Sequence, residues 1–465
     1  MISRKRFASL LVLLMIVAAL CAGCGDDDDD DNDAAPVGDD DDDDDDDDND
    51  DNDDDEPTPQ LQAGFARVDI TPDWSIKLGG YGSFFLSEAF CRWSEGVHDP
   101  LYATALAIDD GIDEPVFLIN LDVVGVVITD AFRIRDGIGE ALGTTTDRVI
   151  ATGTHSHHAP DTIGLWGLMI PPRSGRDEAF IDWMVDGAVE AALAAYEAQR
   201  PAVAAVATGS ESRLHFNDQA AVDPEAGLDS TLTVLVFSAP DGAPIGTVMN
   251  WGCHPTVMGR HNVAISADFP GAYVRHMDEA LGGVNMFVNG NLGGGVLPVN
   301  NEEDGDWGTW EEVDSFGGVL ADDALALLDD AEVIDDPRLR FGQAVVYTKL
   351  TNPFFALIGQ VGMIPRPIPG MGETGRTIAS AFRLGSFVFA ALPGEIAPEV
   401  GLTLRWQIGA SHQMHANIGQ DWIGYVLTKE QYRNLRYFYY SILSPGGGSA
   451  EAIYTAYDEI LLQLQ

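Results

Sequence analysis

The stretch GTHSHHAPD (153–161) places three of the chain's ten histidines, His155, His157 and His158, within four positions. An imidazole can ligate a metal, relay protons near neutral pH, or simply decorate a polar loop. Two other segments deliver ligand-type residues in similar settings: GTVMNWGC runs into His254 and Pro255, and FVFAALPG runs into Glu395. A catalytic zinc takes three or four neutral imidazole or carboxylate ligands at about 2.0–2.2 Å and keeps one position open. No HExxH or CxxC pattern is present, so spacing alone leaves metal site, proton relay and decoration all open.

The elements that must position these residues are short apolar runs. The segments 116–126, 148–153, 231–238, 246–252, 285–290 and 382–392 are rich in Val, Ile and Phe and bounded by Gly, Pro or Asp, which predicts strands. Residues 179–199 carry Phe180, Met184, Ala188 and Ala191 at helical spacing, and 267–283 runs from an acidic residue and Pro270 to closing glycines. Strand, polar loop and helix alternate, so the fold class expected is α/β or α+β, one large mixed-sheet domain with helices. Sites in such folds sit at strand ends. Three apolar strands each end on a ligand type, and if they share a sheet, His155 or His157, His254 and Glu395 can converge. No internal repeat is visible.

The start of the chain is a different kind of sequence. Arg4, Lys5 and Arg6 precede an apolar run from about Phe7 to Leu20, followed by small residues, which predicts a secretory signal over 1–23. LCAGC is similar to a bacterial lipobox, with Cys24 as the lipidated first residue of the mature protein. Residues 24–59 form an acidic linker, in which 26–56 hold 22 aspartates, Glu56 and no basic residue. Such a block repels itself and stays extended, a stalk rather than a core. We therefore expect an exported bacterial lipoprotein, held to the cell envelope at the outer membrane through its lipid anchor. From Pro57 onward, 52 acidic residues face 22 basic ones, which excludes nucleic acid as a partner. Cys91 and Cys253 remain after processing, as one disulfide or as two buried thiols.

Five stretches in order resemble the neutral ceramidases, the neutral/alkaline non-lysosomal family: VDITPDWSIKLGGYG (68–82), GTHSHHAP, NWGCHP, LPGEIAPEVG and DWIGYVLTKEQYRNLRY. The resemblance implies a catalytic domain over 60–465 that hydrolyses the amide of an N-acylated, ceramide-like lipid with Zn2+. It implies His155, His254, Glu395 and Tyr425 as metal ligands and His157 as a catalytic group at the scissile carbonyl. His158 has no counterpart and is expected in a supporting or surface position. The plainer readings are a loop histidine against Pro160 for His155, a helix N-terminal carboxylate for Glu395, and a core aromatic for Tyr425. No C-terminal immunoglobulin-like domain, which larger members carry, is expected.

Two departures bear on mechanism. The family's G-D-V-S-P-N segment, whose serine lies at the active site, corresponds to NGNLGGGVLPVN (289–300), which has no serine. Metal-activated water then replaces a serine nucleophile, with the glycine turn offering backbone N–H groups to an oxyanion. In HFNDQ (215–219) Asn217 is followed by Asp218 where the family has arginine, which removes a cation from the substrate contacts. The apolar run 352–371 is a candidate acyl-chain wall, and the acidic stretch 300–307 a candidate second ion site. The competing readings are a metal-containing lipoprotein that binds a lipid or partner without turnover, and a zinc esterase.

Overall fold

A computed structural model describes residues 60–82, 84–143, 147–299 and 308–465. The signal, Cys24, the acidic linker and the acidic stretch 300–307 lie outside the described residues. Pro59–Gln465 forms one compact unit.

Three sheets of the same design follow one another along the chain. Sheet one has β1 (Gln62–Asp69), β2 (Tyr102–Asp109), β3 (Val116–Leu121) and β4 (Val149–Gly153). Sheet two has β5 (Val203–Ser210), β6 (Thr231–Ser238), β7 (Pro244–Trp251) and β8 (Val284–Asn289). Sheet three has β9 (Leu339–Lys349), β10 (Thr374–Leu384), β11 (Phe387–Leu392) and β12 (His412–Asn417). In each, the first three strands form an antiparallel meander and the fourth adds parallel to the third. A parallel neighbour needs a crossover. Each sheet supplies it with a helix between strands three and four: α1 (Ile128–Leu142), α3 (Phe269–Ala280) and α5 (Pro398–Ile408).

A second helix follows each fourth strand and packs back on the first two strands of its own sheet. These are α2 (Glu178–Glu197), α4 (Trp310–Leu328) and α6 (Ser449–Gln463). The fold is thus a structural triplication, which the sequence does not show. The single mixed sheet expected from the strand pattern is three.

The third and fourth strands of each sheet are buried on both faces, which explains why they read as nearly continuous apolar runs. One face of sheet one (Ala105, Ala107, Phe117, Ile119) packs under α1 and α2. Its other face (Phe65, Leu106, Leu118) meets Val248 and Met286 of sheet two and Phe382, Phe389 and Met414 of sheet three in a common core. The fourth strands β4, β8 and β12 meet at the centre. Side chains bond across these junctions: Asn120 Nδ2 donates to Phe287 O at 2.8 Å, Asn250 Nδ2 to His415 O at 3.0 Å, and Thr152 Oγ1 to Asn417 O at 3.0 Å.

Two strand expectations change in detail. The 116–126 run leaves the sheet after Leu121, and Val123 and Val124 form the buried turn that carries the site. The 382–392 run is two strands, turned at Gly385 with φ +53°.

Candidate metal centre

The triplication places the ligand-type residues. His254 lies three residues beyond the end of β7, and Glu395 three beyond the end of β11. The equivalent residue beyond β3 is Val124, whose carbonyl accepts from His155 Nδ1 at 2.6 Å. His155 itself follows β4 and adopts φ +69°, a left-handed conformation that costs a non-glycine residue about 1–3 kcal/mol. Its backbone N–H, donated to Val123 O at 3.0 Å, helps to hold it there.

The proton positions follow from the partners. A ring nitrogen facing a carbonyl must donate, so the Nδ1 atoms of His155 and His254 carry the protons, the latter toward Val296 O at 2.8 Å. Their Nε2 atoms are then lone-pair acceptors. Those two nitrogens lie 3.6 and 3.4 Å from Glu395 Oε2, a buried oxygen with no hydrogen-bond donor. The other oxygen, Oε1, accepts from Trp422 Nε1 at 2.8 Å. Three acceptor atoms converging at a buried site fit the ligand set of a cation. Ligands held about 2.1 Å from a tetrahedral ion lie about 3.4 Å apart, which matches these separations. Burial lowers the His155 pKa to about 4, against the opposing pull of Glu395, so the ring is neutral and ready to ligate.

His157 joins the cluster: the ring nitrogens of His155, His157 and His254 all lie within 4.8 Å of one another, and His157 Nε2 is 3.3 Å from His155 Nε2. Its Nδ1 differs from the other two in having no partner. A ligating histidine almost always donates its second N–H to an acceptor. The ring is positioned by packing: the Tyr81 ring meets it edge-on at 5.0 Å, and a Cβ on Gly80 would lie 2.1 Å from its Cγ. Only glycine, here at φ +92°, lets the GGYG backbone pass so close. Burial and the neighbouring imidazoles push the His157 pKa well below its ordinary value.

Tyr425 pairs directly with Glu395 in a two-residue parallel ladder, and its ring meets Tyr440 edge-on at 5.0 Å. Burial first, then the Glu395 carboxylate, raises its phenol far above the usual range. His158 is fully buried, which removes the surface alternative: Nε2 faces Asp268 Oδ2 at 3.3 Å, and Nδ1 faces Asn262 Nδ2 at 3.1 Å. Asp268 also receives the N–H groups of Val257 and Met258, so His158 ties the two histidine loops together.

At Gly293 the glycine turn has no room for a side chain, and its N–H is not free for an oxyanion. A Cβ on Gly293 would lie 2.2 Å from Glu395 O, and the Gly293 N–H is already donated to Ile396 O at 2.9 Å. Asp218 accepts from Tyr440 OH at 3.0 and 3.1 Å. In the 352–371 run, Phe355 stacks on Trp422 with centroids 6.3 Å apart, one side chain from Glu395. Cys91 and Cys253 are separate buried thiols.

Sequence reasoning missed Asn289, whose amide donates to Thr154 O and Cys253 O, both at 2.8 Å, and accepts from Cys253 N. It clamps the His155 and His254 loops to each other. Its place at the end of a predicted strand was visible, but its partners were not. Trp422 was visible only as part of the DWIGY stretch.

These features belong to a family that can be named. The profile described as neutral/alkaline non-lysosomal ceramidase, N-terminal, matches residues 61–296. The chain belongs to that family. It is 26% identical over 231 residues to neutral ceramidase 2 of Arabidopsis thaliana, covering 46% of this chain and 30% of that protein. With neutral ceramidase A of Dictyostelium discoideum it shares 23% over 189 residues, 38% of this chain and 26% of the relative. The matches thus span less than a third of these relatives' length. The crystal structure of the neutral ceramidase from Pseudomonas aeruginosa superposes with a TM-score of 0.73 at 18% identity, over 87% of this chain and 74% of that one. That likeness shows a shared fold.

Proposed function

We propose that the protein hydrolyses the amide bond of an N-acylated, ceramide-like lipid at a zinc centre formed by His155, His254, Glu395 and Tyr425. One observation carries this reading: His155 Nε2, His254 Nε2 and Glu395 Oε2 converge at ligand-to-ligand spacing. Family membership and relatives named as ceramidases support the substrate class. A zinc ion there supplies Lewis acidity, polarising a carbonyl and bringing water's pKa toward neutrality.

The chain's own residues do the rest. Val124 O and Val296 O orient the two imidazoles, and Trp422 holds Glu395 so that Oε2 faces them. His157 lacks the brace that marks a ligand, so we assign it to proton transfer: it would take a proton from the attacking water and return it to the departing amide nitrogen. Its depressed pKa keeps it a base at neutral pH. Phe355 and the apolar residues around it form one wall for the acyl chain.

The test is a side-by-side assay of purified full-length protein on ceramide, an N-acyl amino acid and a fatty ester, with metal content measured in parallel. Release of fatty acid from an N-acyl lipid, abolished by chelation and by His254→Ala, is the expected result. Zinc-loaded protein that releases none would sink the hydrolase reading in favour of a lipid binder. Turnover of the ester alone would make it an esterase.

A further inference from the structure

A second cavity, of about 330 Å³, lies where sheet one meets the β8 edge of sheet two. Arg67, Tyr102, Asn120, Asp122, Thr154 and Phe287 line it, and none of the four residues assigned to the metal does. The two other junctions between units carry internal polar bridges. Arg405 pairs with Asp229 at 2.9 Å between units two and three, and Gln420 Nε2 donates to Val149 O at 2.7 Å between units three and one.

Three polar atoms of the residues lining this cavity lack a protein hydrogen-bond partner. Asn120 Oδ1 and Thr154 Oγ1 have none, in residues only 4% and 1% exposed, and neither has Arg67 Nε. The Asn120 amide is oriented by its donation to Phe287 O at 2.8 Å, which fixes the oxygen as a free acceptor. A buried polar atom left unpaired costs about 1–3 kcal/mol, so three at one cavity call for an occupant that supplies the bonds. Asp122 adds a carboxylate that faces the Thr154 hydroxyl and whose Oδ2 accepts from Tyr102 N at 2.9 Å. Arg67 forms its ion pair with Asp278, at 2.8 Å, and Asp99 and Glu279 line the cavity beside Asp122. Met286, Phe287 and Val274 give the cavity an apolar side.

We propose that this cavity binds a small hydroxylated amine, its ammonium group at Asp122 and Asn120 Oδ1 and its hydroxyl between Thr154 Oγ1 and Arg67 Nε. The ammonium donates to two acceptors, and the hydroxyl both donates and accepts, so each unpaired atom gains a complement. A lone anion would leave Asn120 Oδ1 unpaired and face Asp122. The apolar side accommodates a short carbon chain. Thr154 directly precedes His155, so the occupant would rest against the strand end that carries the metal site.

The experiment is calorimetric titration of the metal-loaded full-length protein with ethanolamine, with propanol and propylamine as probes that keep only its hydroxyl and only its ammonium group, respectively. Saturable ethanolamine binding at about 1 mM or tighter is expected, at least about tenfold stronger than either control. Asp122→Asn should weaken it about tenfold or more and Thr154→Val about fivefold, the isosteric valine variant serving if the first fails to fold. No binding up to about 10 mM would overturn the proposal and leave a cavity filled by water. So would equal affinity for all three probes, or unchanged affinity in Asp122→Asn. Ethanolamine binding lost in His254→Ala but kept in Asp122→Asn would place the amine at the metal centre, and would also overturn it. The failure of amide hydrolysis would leave these binding results untouched.

Discussion

His254 and Glu395 occupy the same position in successive structural units, each three residues beyond the third strand, and their Nε2 and Oε2 atoms stand 3.4 Å apart. The pair joins two sheets through the site itself, so its properties should respond to changes in either sheet.

Replacing His254 by alanine removes one of the three converging acceptors. We expect metal affinity to fall at least about a hundredfold, measured by competition with a chromogenic chelator, with hydrolysis lost in proportion.

The His157→Asn variant should behave differently. Because His157 Nδ1 has no brace, the metal should stay bound while kcat falls about 10²–10⁴-fold. Metal content measured beside kcat separates the roles, and loss of the metal would make His157 a ligand.

A serine introduced at Gly293 should not restore a nucleophile. Its Cβ would meet Glu395 O at 2.2 Å, a backbone contact that cannot yield cheaply. Gly293→Ser should therefore destabilise the fold by about 1–3 kcal/mol in urea denaturation and lower activity rather than raise it.

Asn289→Ala cuts the clamp between the two histidine loops and leaves buried carbonyls at Thr154 and Cys253 without a donor. A loss of about 2–4 kcal/mol is expected. Metal affinity should drop with it, although Asn289 is not proposed as a ligand.

Acid should destabilise the fold through histidines away from the candidate metal centre. Burial lowers the pKa of His215 and, further, that of His415. The unfolded chain then binds protons that the folded one refuses. This contribution to stability is complete above about pH 6.5 and is lost as pH falls toward the folded values. Asp122, raised to about 7 by burial, acts in the opposite sense. The measurement is therefore a difference: the urea midpoint should fall less between pH 7.5 and 5 for His415→Gln than for the wild type.

Much of the site was legible locally. His155, His254 and Glu395 each follow a short apolar run, because a strand buried on both faces needs an unbroken apolar sequence and its polar chemistry must wait for the strand's end. The Val-, Ile- and Phe-rich segments likewise announced nearly all the strands they covered, and Pro270 with its flanking residues announced a helix. The turn at Gly385 was missed because Phe, Val and Ala continue on both sides of it, so the apolar pattern does not mark the reversal.

By itself, then, the sequence determined which segments are strands and which residues stand at their ends. Tertiary structure alone decided that three sheets, not one, bring those ends together. It also decided that His155 and His254 are braced while His157 is not, and that Gly293 has no room for a side chain. The reason is physical. Strand propensity and apolar period act over a few residues, whereas a ligand set is made by packing between sheets far apart in the chain, where a carbonyl such as Val124 O or Val296 O carries no side-chain signature.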